Sequence, residues 1–461
     1  MIFKMDRRRF VKSAGALAAL SSMNLSDLLA ADPAALKLIN IVRTQSDFER
    51  EKLIRPFGFK GGYLTELWQV ASRMQSESGI SRIGLATQSV LYGDSDLFPR
   101  QSETEGNAMM YDLVNKSLEH VKNTPFRTPP ELLDKILPGV IQDGKKITGK
   151  QDLNINFVYN ALVGVDNAAW LTYAAENKFS SFEEMIPEQY KKALSHRNKK
   201  IAIMYQIPYG MPMEDLKNAV KQGYFVFKIK TGAPGSQSEM IQADIDRLSL
   251  IHQTLKDFRT EQTENGKLIY TMDANARYEK KETLLKYLDH ARKIDAFDQI
   301  LLIEEPLNEN NEESVADIDL RIGADESVHD EQSAIRRLDQ GYKVMVLKGI
   351  AKTLSLSIKI AKLAADRNVP CMCADLTVNP ILIDWNKNLA AHLAPFPIIN
   401  MGMMETNGDM NYVNWRNMVN YHPAAHSSWT IPKNGVFELN PDFYERSGGI
   451  FDPSAHYQSM F

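Results

Sequence analysis

The chain has 461 residues, enough for two or three domains and a large core. A hydrophobic fraction of 44% and a charged fraction of 24% exclude a disordered, collagen-like or coiled-coil molecule. The 54 basic and 58 acidic residues nearly cancel, to a net charge of -4, which gives no footprint for a nucleic-acid partner. Only Cys371 and Cys373 could oxidise, so a disulfide framework is excluded, and the pair reads as two buried small side chains.

The N-terminus reads Asp6-Arg7-Arg8-Arg9-Phe10-Val11-Lys12, followed by Ser13-Ala14-Gly15-Ala16-Leu17-Ala18-Ala19-Leu20. A cationic cluster precedes a weakly apolar run, which is shorter than the roughly 20 residues a bilayer span needs. Residues 1–31 are therefore expected to be an export signal, with cleavage near Ala30-Ala31-Asp32. The Arg-Arg-x-Phe-x-Lys pattern resembles the twin-arginine signal of bacteria. No cysteine follows the run to carry a lipid anchor, and no later segment approaches a membrane span. The mature protein is expected to be exported, periplasmic and free of the membrane.

From about residue 38 to 195 the pattern is mixed. Residues 82–91 read as a strand; 131–137 and 159–175 read as helices. From about 196 to 430 the pattern becomes a regular alternation. Strand-like runs fall at 201–207, 224–230, 267–272, 300–303, 320–324, 343–347, 369–373 and 397–401. Helical periods lie between most of them, as at 283–294 and 353–367. Eight buried strands alternating with helices predict an α/β fold, a TIM-like (β/α) barrel, and the span approaches the ~250 residues typical of it. An open doubly wound sheet is the competitor, but no Gly-x-Gly-x-x-Gly follows a strand. The stretch 261–266 is expected to be an inserted surface loop.

What ends each apolar run carries the chemistry. The second ends Lys228-Ile229-Lys230, the third Asp273-Ala274-Asn275, and the fourth Glu304-Glu305-Pro306. The fifth ends Asp325-Glu326-Ser327 and the sixth Lys348-Gly349. In a parallel barrel these ends share the catalytic face. Three carboxylates cannot crowd together unpaired without raising one another's pKa, and a divalent cation resolves the conflict. All-oxygen ligation suits magnesium, with Asp273, Glu304 and Asp325 as the ligands. Glu305 or Glu326 remains open as the inward member of its acidic pair. Lys228 and Lys230, two apart, point the same way, so Lys228 is placed to lower the pKa of Lys230. Lys348 sits four strands further round, across the barrel. Lys343 and Lys352 read as solvated surface residues, and His329 as a loop residue.

This ordered set resembles the enolase superfamily, and more narrowly its muconate-lactonising-enzyme subgroup, which includes dipeptide epimerases and o-succinylbenzoate synthases. The resemblance implies Mg2+ on Asp273, Glu304 and Asp325, and Lys230 and Lys348 as acid/base residues on opposite faces of a small-molecule carboxylate substrate. The α-proton would be removed to give an enediolate. Asn275 is expected to support the metal site or Lys230. The resemblance also implies an α+β capping domain over 38–195, joined by a C-terminal tail, 431–461, that returns to it. Arg55-Pro56-Phe57-Gly58-Phe59-Lys60-Gly61-Gly62 resembles the cap's mobile specificity loop, and Val165 to Trp170 the helix leading into the barrel. Dipeptide epimerases bind the substrate ammonium with an Asp-x-Asp after the eighth strand. Here that stretch reads Met404-Glu405-Thr406-Asn407-Gly408-Asp409, which leaves Glu405, with Asp375 after the seventh strand, as the candidates.

The leading expectation is a racemase or epimerase acting on a dipeptide or N-modified amino acid. A lyase or cycloisomerase on the same scaffold, working by β-elimination or lactone formation, is the alternative. A non-catalytic exported binding protein is a third possibility, weakened because no ligand or lysine of the set is missing. Symmetric homo-oligomers are common in this family.

Overall fold

The computed structural model describes residues 36–59 and 62–461, so the expected export signal at 1–31 and the tip Lys60-Gly61 lie outside the described residues. The first sheet is antiparallel: β1 (Ile41–Phe59), β2 (Gly62–Ser76) and β3 (Ser81–Gln88), in that order. The β1–β2 register slips between Lys52 and Phe57, so the hairpin bulges where Leu53 to Pro56 lie. The expected specificity loop is thus mostly strand, with only its tip beyond description.

The predicted strand over 82–91 stops at Gln88. Ser89 caps a one-turn helix, Val90–Gly93, by accepting from the Tyr92 N–H. Asn160 Oδ1 accepts from the Ser89 N–H and Asn107 Oδ1 from the Val90 N–H, so local capping wins over the extended run.

Three helices follow: Glu103–Lys122 and Ile155–Asn177 pack on the sheet, and Pro129–Thr148 packs on those two helices. Ile155–Asn177 is apolar almost all round because it is buried between the sheet and the barrel. Gly84 makes the close approach possible, since a Cβ there would lie 2.1 Å from Ala168 N and 2.2 Å from Gly164 O. On the barrel side Asp166 accepts from the Ser355 N–H at 3.0 Å, and the Trp170 indole donates to Ser355 Oγ at 3.0 Å.

Eight parallel strands then form the barrel: β4 (Lys200–Ile207), β5 (Val226–Lys230), β6 (Ile269–Asp273), β7 (Ile300–Glu304), β8 (Arg321–Ala324), β9 (Val344–Leu347), β10 (Cys371–Cys373) and β11 (Gly402–Glu405). β11 pairs with β4 and closes the ring. The eighth strand falls after the predicted 397–401. Ile398 and Asn400 have left-handed φ of 78° and 52°, and the Asn400 N–H turns back to Phe396 O, so that run makes a turn. The stretch 261–266 is irregular, as expected of a surface loop.

β12 (Val436–Glu438) runs antiparallel to Lys200, Ile201 and Ala202, below the reach of β5, which pairs with β4 only from Met204 on. The tail beyond it meets the first sheet, with His456 Nε2 2.8 Å from Glu49 and the Arg73 guanidinium 4.7 Å over the Phe461 ring. Among the described residues, no helix is long and apolar enough to cross a membrane.

Candidate active site

Parallel strands end on one face, and their register aligns the charges there. Lys230 pairs with Asp273, Asp273 with Glu304, and Glu304 with Gly323, so the first three form one row across β5, β6 and β7. Asp325 lies two residues beyond Gly323, and Lys348 just past the end of β9. In the closed ring β5 and β9 are four strands apart, so Lys230 and Lys348 face each other across it.

The charges interlock. Lys228 Nζ lies 2.8 Å from Glu304, 3.1 Å from Asp273 and 3.0 Å from Glu405. Lys230 Nζ lies 2.5 Å from Asp273 Oδ2 and donates to Asn275 Oδ1 at 3.2 Å. Lys348 Nζ lies 2.5 Å from Asp325 Oδ2. Asp273, Glu304 and Asp325 are at most 1% exposed. Among the described residues, no three His, Cys, Asp or Glu side chains are spaced as a ready metal cage, because ammonium groups stand between the carboxylates.

Burial raises the Glu304 carboxyl well above the carboxylate range, and the Asp273 charge adds to it. Burial also opposes ionisation of Asp325, but Lys348 and Lys352 hold it at about 2. Lys228 and Lys348 move upward rather than down: burial lowers each, and the carboxylates around them more than compensate.

The open choice within each acidic pair resolves into separate duties. Glu304 faces the lysines. Glu305, with φ at +36°, turns away and accepts from the Asp325 N–H and the Ser327 hydroxyl, so it braces the end of β8. Glu326 accepts from the Asn275 amide at 2.9 Å and lines the cavity. Asn275 thus bridges Lys230 and Glu326, and its own φ of +46° is a left-handed turn at a strand end.

Lys352 is not a surface residue. It is 4% exposed, and its Nζ donates to Asp325 O at 2.7 Å and Val328 O at 3.0 Å. The sequence signal was there: a lone lysine in the small, apolar run Gly349-Ile350-Ala351-Lys352-Thr353. Lys343 is exposed, as expected, and His329 sits in a loop 2.6 Å from Glu309.

Asp375 and Glu405 both reach the cavity, but both are engaged. Asp375 accepts from the backbone N–H groups of Leu376, Val378 and Asn407. Burial, with the Glu405 charge behind it, pushes Asp375 up to about 7.

The cavity is small, about 50 Å³. Its floor carries Lys228, Lys230, Asp273 and Lys348; its roof is Leu53, Phe57, Leu64 and Leu67 from the β1–β2 hairpin. Tyr92 closes one side, with Lys348 Nζ 4.9 Å from its ring centre. Tyr92 could not be picked from strand-end reasoning, since it comes from the other domain; Gln206, next to last in β4 and level with Lys228, carries no charge to single it out. Tyr412 staples the roof down: it accepts from Gln69 Nε2 at 2.9 Å and donates to Thr377 O.

Residues 213–428 match the family model described as Enolase C-terminal domain-like. The matched residues run from just after β4 to beyond β11, and so take in most of the barrel. No curated protein sequence matches the chain. Among solved structures, the mandelate racemase/muconate lactonizing protein from Herpetosiphon aurantiacus shares 15% identity at a TM-score of 0.60, over 87% of this chain and 96% of that one. The dipeptide epimerase from Enterococcus faecalis V583, complexed with Mg and the dipeptide L-Leu-L-Tyr, shares 16% at 0.57, over 81% and 92%. The N-succinyl Arg/Lys racemase from Bacillus cereus ATCC 14579 shares 13% at 0.58, over 82% and 89%. These likenesses show the fold, a TIM barrel under a capping domain.

Proposed function

We propose that the protein is a magnesium-dependent racemase or epimerase that moves the α-proton of a carboxylate substrate, a dipeptide or N-modified amino acid. The observation that carries this reading is the pair Lys230 and Lys348, set at the ends of opposed strands and bordering one cavity. Proton transfer from one face and return to the other inverts a stereocentre.

The residues fit a hard cation. Asp273, Glu304 and Asp325 supply only oxygen, all buried, and among the described residues no hydrogen-bond donor reaches Glu304 Oε1. A bound magnesium would supply positive charge to the substrate carboxylate and offset the three acids, so that the lysines lose protons more readily. Lys230 holds or takes a proton on one side, oriented by Asn275, and Lys348 does so on the other, against Tyr92. Lys228 stays charged between Asp273, Glu304 and Glu405 and keeps them in place. The hairpin roof puts four apolar side chains over the cavity. The reading includes an exported, periplasmic protein, tested by fractionation and by the N-terminal sequence of the mature form.

The test is incubation with magnesium in deuterated water and a library of L,L-dipeptides and N-acyl amino acids, followed by mass and optical rotation. Deuterium gain with inversion supports the reading, and the Lys230→Ala and Lys348→Ala variants then each keep exchange from one enantiomer only. Loss of water or ring closure without inversion would favour the lyase or cycloisomerase alternative.

A further inference from the structure

The cavity beneath the hairpin adjoins a second, larger chamber of about 470 Å³, and Phe57, Gln206, Lys230 and Asn275 line both. The chamber's wall holds a cation, Arg277, that has no partner among the described residues. Arg277 follows β6 by four residues, and its stem lies on Gly232: a Cβ at Gly232 would sit 2.9 Å from Arg277 Cβ and 3.1 Å from its Cδ. Gly232 also has φ at +79°, so the bare backbone that seats the arginine suits glycine twice over. The main chain of Arg277 is pinned at both ends, its N–H on Ala274 O and its carbonyl accepting from Gln237 Nε2.

Among the described residues, the Arg277 guanidinium makes no ion pair, and its buried Nε has no acceptor. The contrast with its neighbours is informative. Arg247 spends its guanidinium on the carbonyls of Ile207 and Pro208, and Arg337 on Ser327, Gln340 and two carbonyls. Arg55 of the hairpin lines the same chamber, with Asp215 as its one carboxylate. A partly buried fork of donors without an acceptor, on a pinned main chain, is matched to a planar anion. Meanwhile the two carboxylates expected to hold a substrate ammonium, Glu405 and Asp375, are taken up by Lys228 and by backbone N–H groups.

We infer that Arg277 is a specificity-determining residue that receives a second carboxylate of the substrate, distal to the one at the reacting carbon. This rests on the racemase reading above and narrows it to dianions: N-acyl amino acids whose acyl chain ends in a carboxylate, in preference to dipeptides with a free ammonium.

The test compares N-succinyl with N-butanoyl derivatives of the same set of L-amino acids, at matched acyl length, on the magnesium-loaded enzyme. Deuterium exchange gives kcat/KM, and calorimetric titration gives affinity independently of turnover. The wild type is expected to favour the succinyl member about 30-fold, the worth of a charge-assisted pair. Arg277→Gln should erase most of that preference through KM, leaving kcat and the butanoyl rates unchanged, while Arg277→Lys restores part of it. Equal kcat/KM for both members with the wild type overturns the inference and leaves the racemase reading standing. If nothing exchanges, the racemase reading fails, and the titration still decides: equal affinity, or no binding of either, overturns the anion site.

Discussion

Replacing Lys228 by methionine tests the electrostatics of the barrel mouth most directly. The side chain is 2% exposed, and its ammonium lies within 3.1 Å of three carboxylates. Methionine keeps much of the stem volume and removes the charge. Breaking a buried ion pair from one side costs about 3–5 kcal/mol, because the remaining charges stay desolvated. At about 2.1 cal/mol/K per residue of unfolding entropy, a cooperative unit the size of Ile39–Phe461 should lose roughly 3–6 °C in Tm. The ammonium and a divalent cation compete for the same oxygens, so magnesium should stabilise Lys228→Met more than it stabilises the wild type. The assay is a calorimetric melt of both proteins in chelator and across a magnesium titration. A variant that melts within a degree of the wild type in chelator would refute the argument. So would a smaller magnesium response than the wild type shows.

Asp166, buried between cap and barrel, is pushed up to about 6 by burial. Its folded pKa lies above the unfolded value near 4, so the stability it contributes is full below pH 4 and is lost as pH rises through 6. Urea melts should show a fall of about 2 kcal/mol across that window, and Asp166→Asn should flatten it. Gly84→Ala would drive a methyl into the backbone of Gly164 and Ala168, so it should cost more than about 3 kcal/mol and shift the chain into the insoluble fraction on expression. Tyr412→Phe removes the hydroxyl that joins Gln69 to Thr377, and should cost about 1–2 kcal/mol in urea melts while raising KM more than it lowers kcat, as the roof loosens.

Much of the barrel was legible because parallel strands buried on both faces read as short apolar runs, and because the charge ending each run is what a barrel mouth needs. Seven of the eight runs overlap the observed strands. The eighth slipped because Ile398 looks like a strand residue while its backbone is left-handed, a property its side chain does not advertise. The trio Asp273, Glu304 and Asp325, with Lys228, Lys230 and Lys348, could be read from order alone. Lys352 is harder: its small, apolar surroundings at 349–353 hint at burial, but period and spacing say nothing about which lysine will find carbonyls to satisfy it. The roof and Tyr92 come from residues more than a hundred positions away, and pairing between domains leaves no local pattern.

The double use of β4 has a kinetic consequence. Its upper half pairs with β5 within a few tens of residues, but its remaining partners, β11 and β12, are made about two hundred residues later. During synthesis the first barrel strand therefore stands as a half-satisfied edge until nearly the whole chain has emerged. Closure is a late, long-range event whose loop entropy is met all at once. A nascent chain stopped before Val436 would hold a ring whose first strand is still open below, and a β-prone edge of that kind is where a chaperone would be needed most.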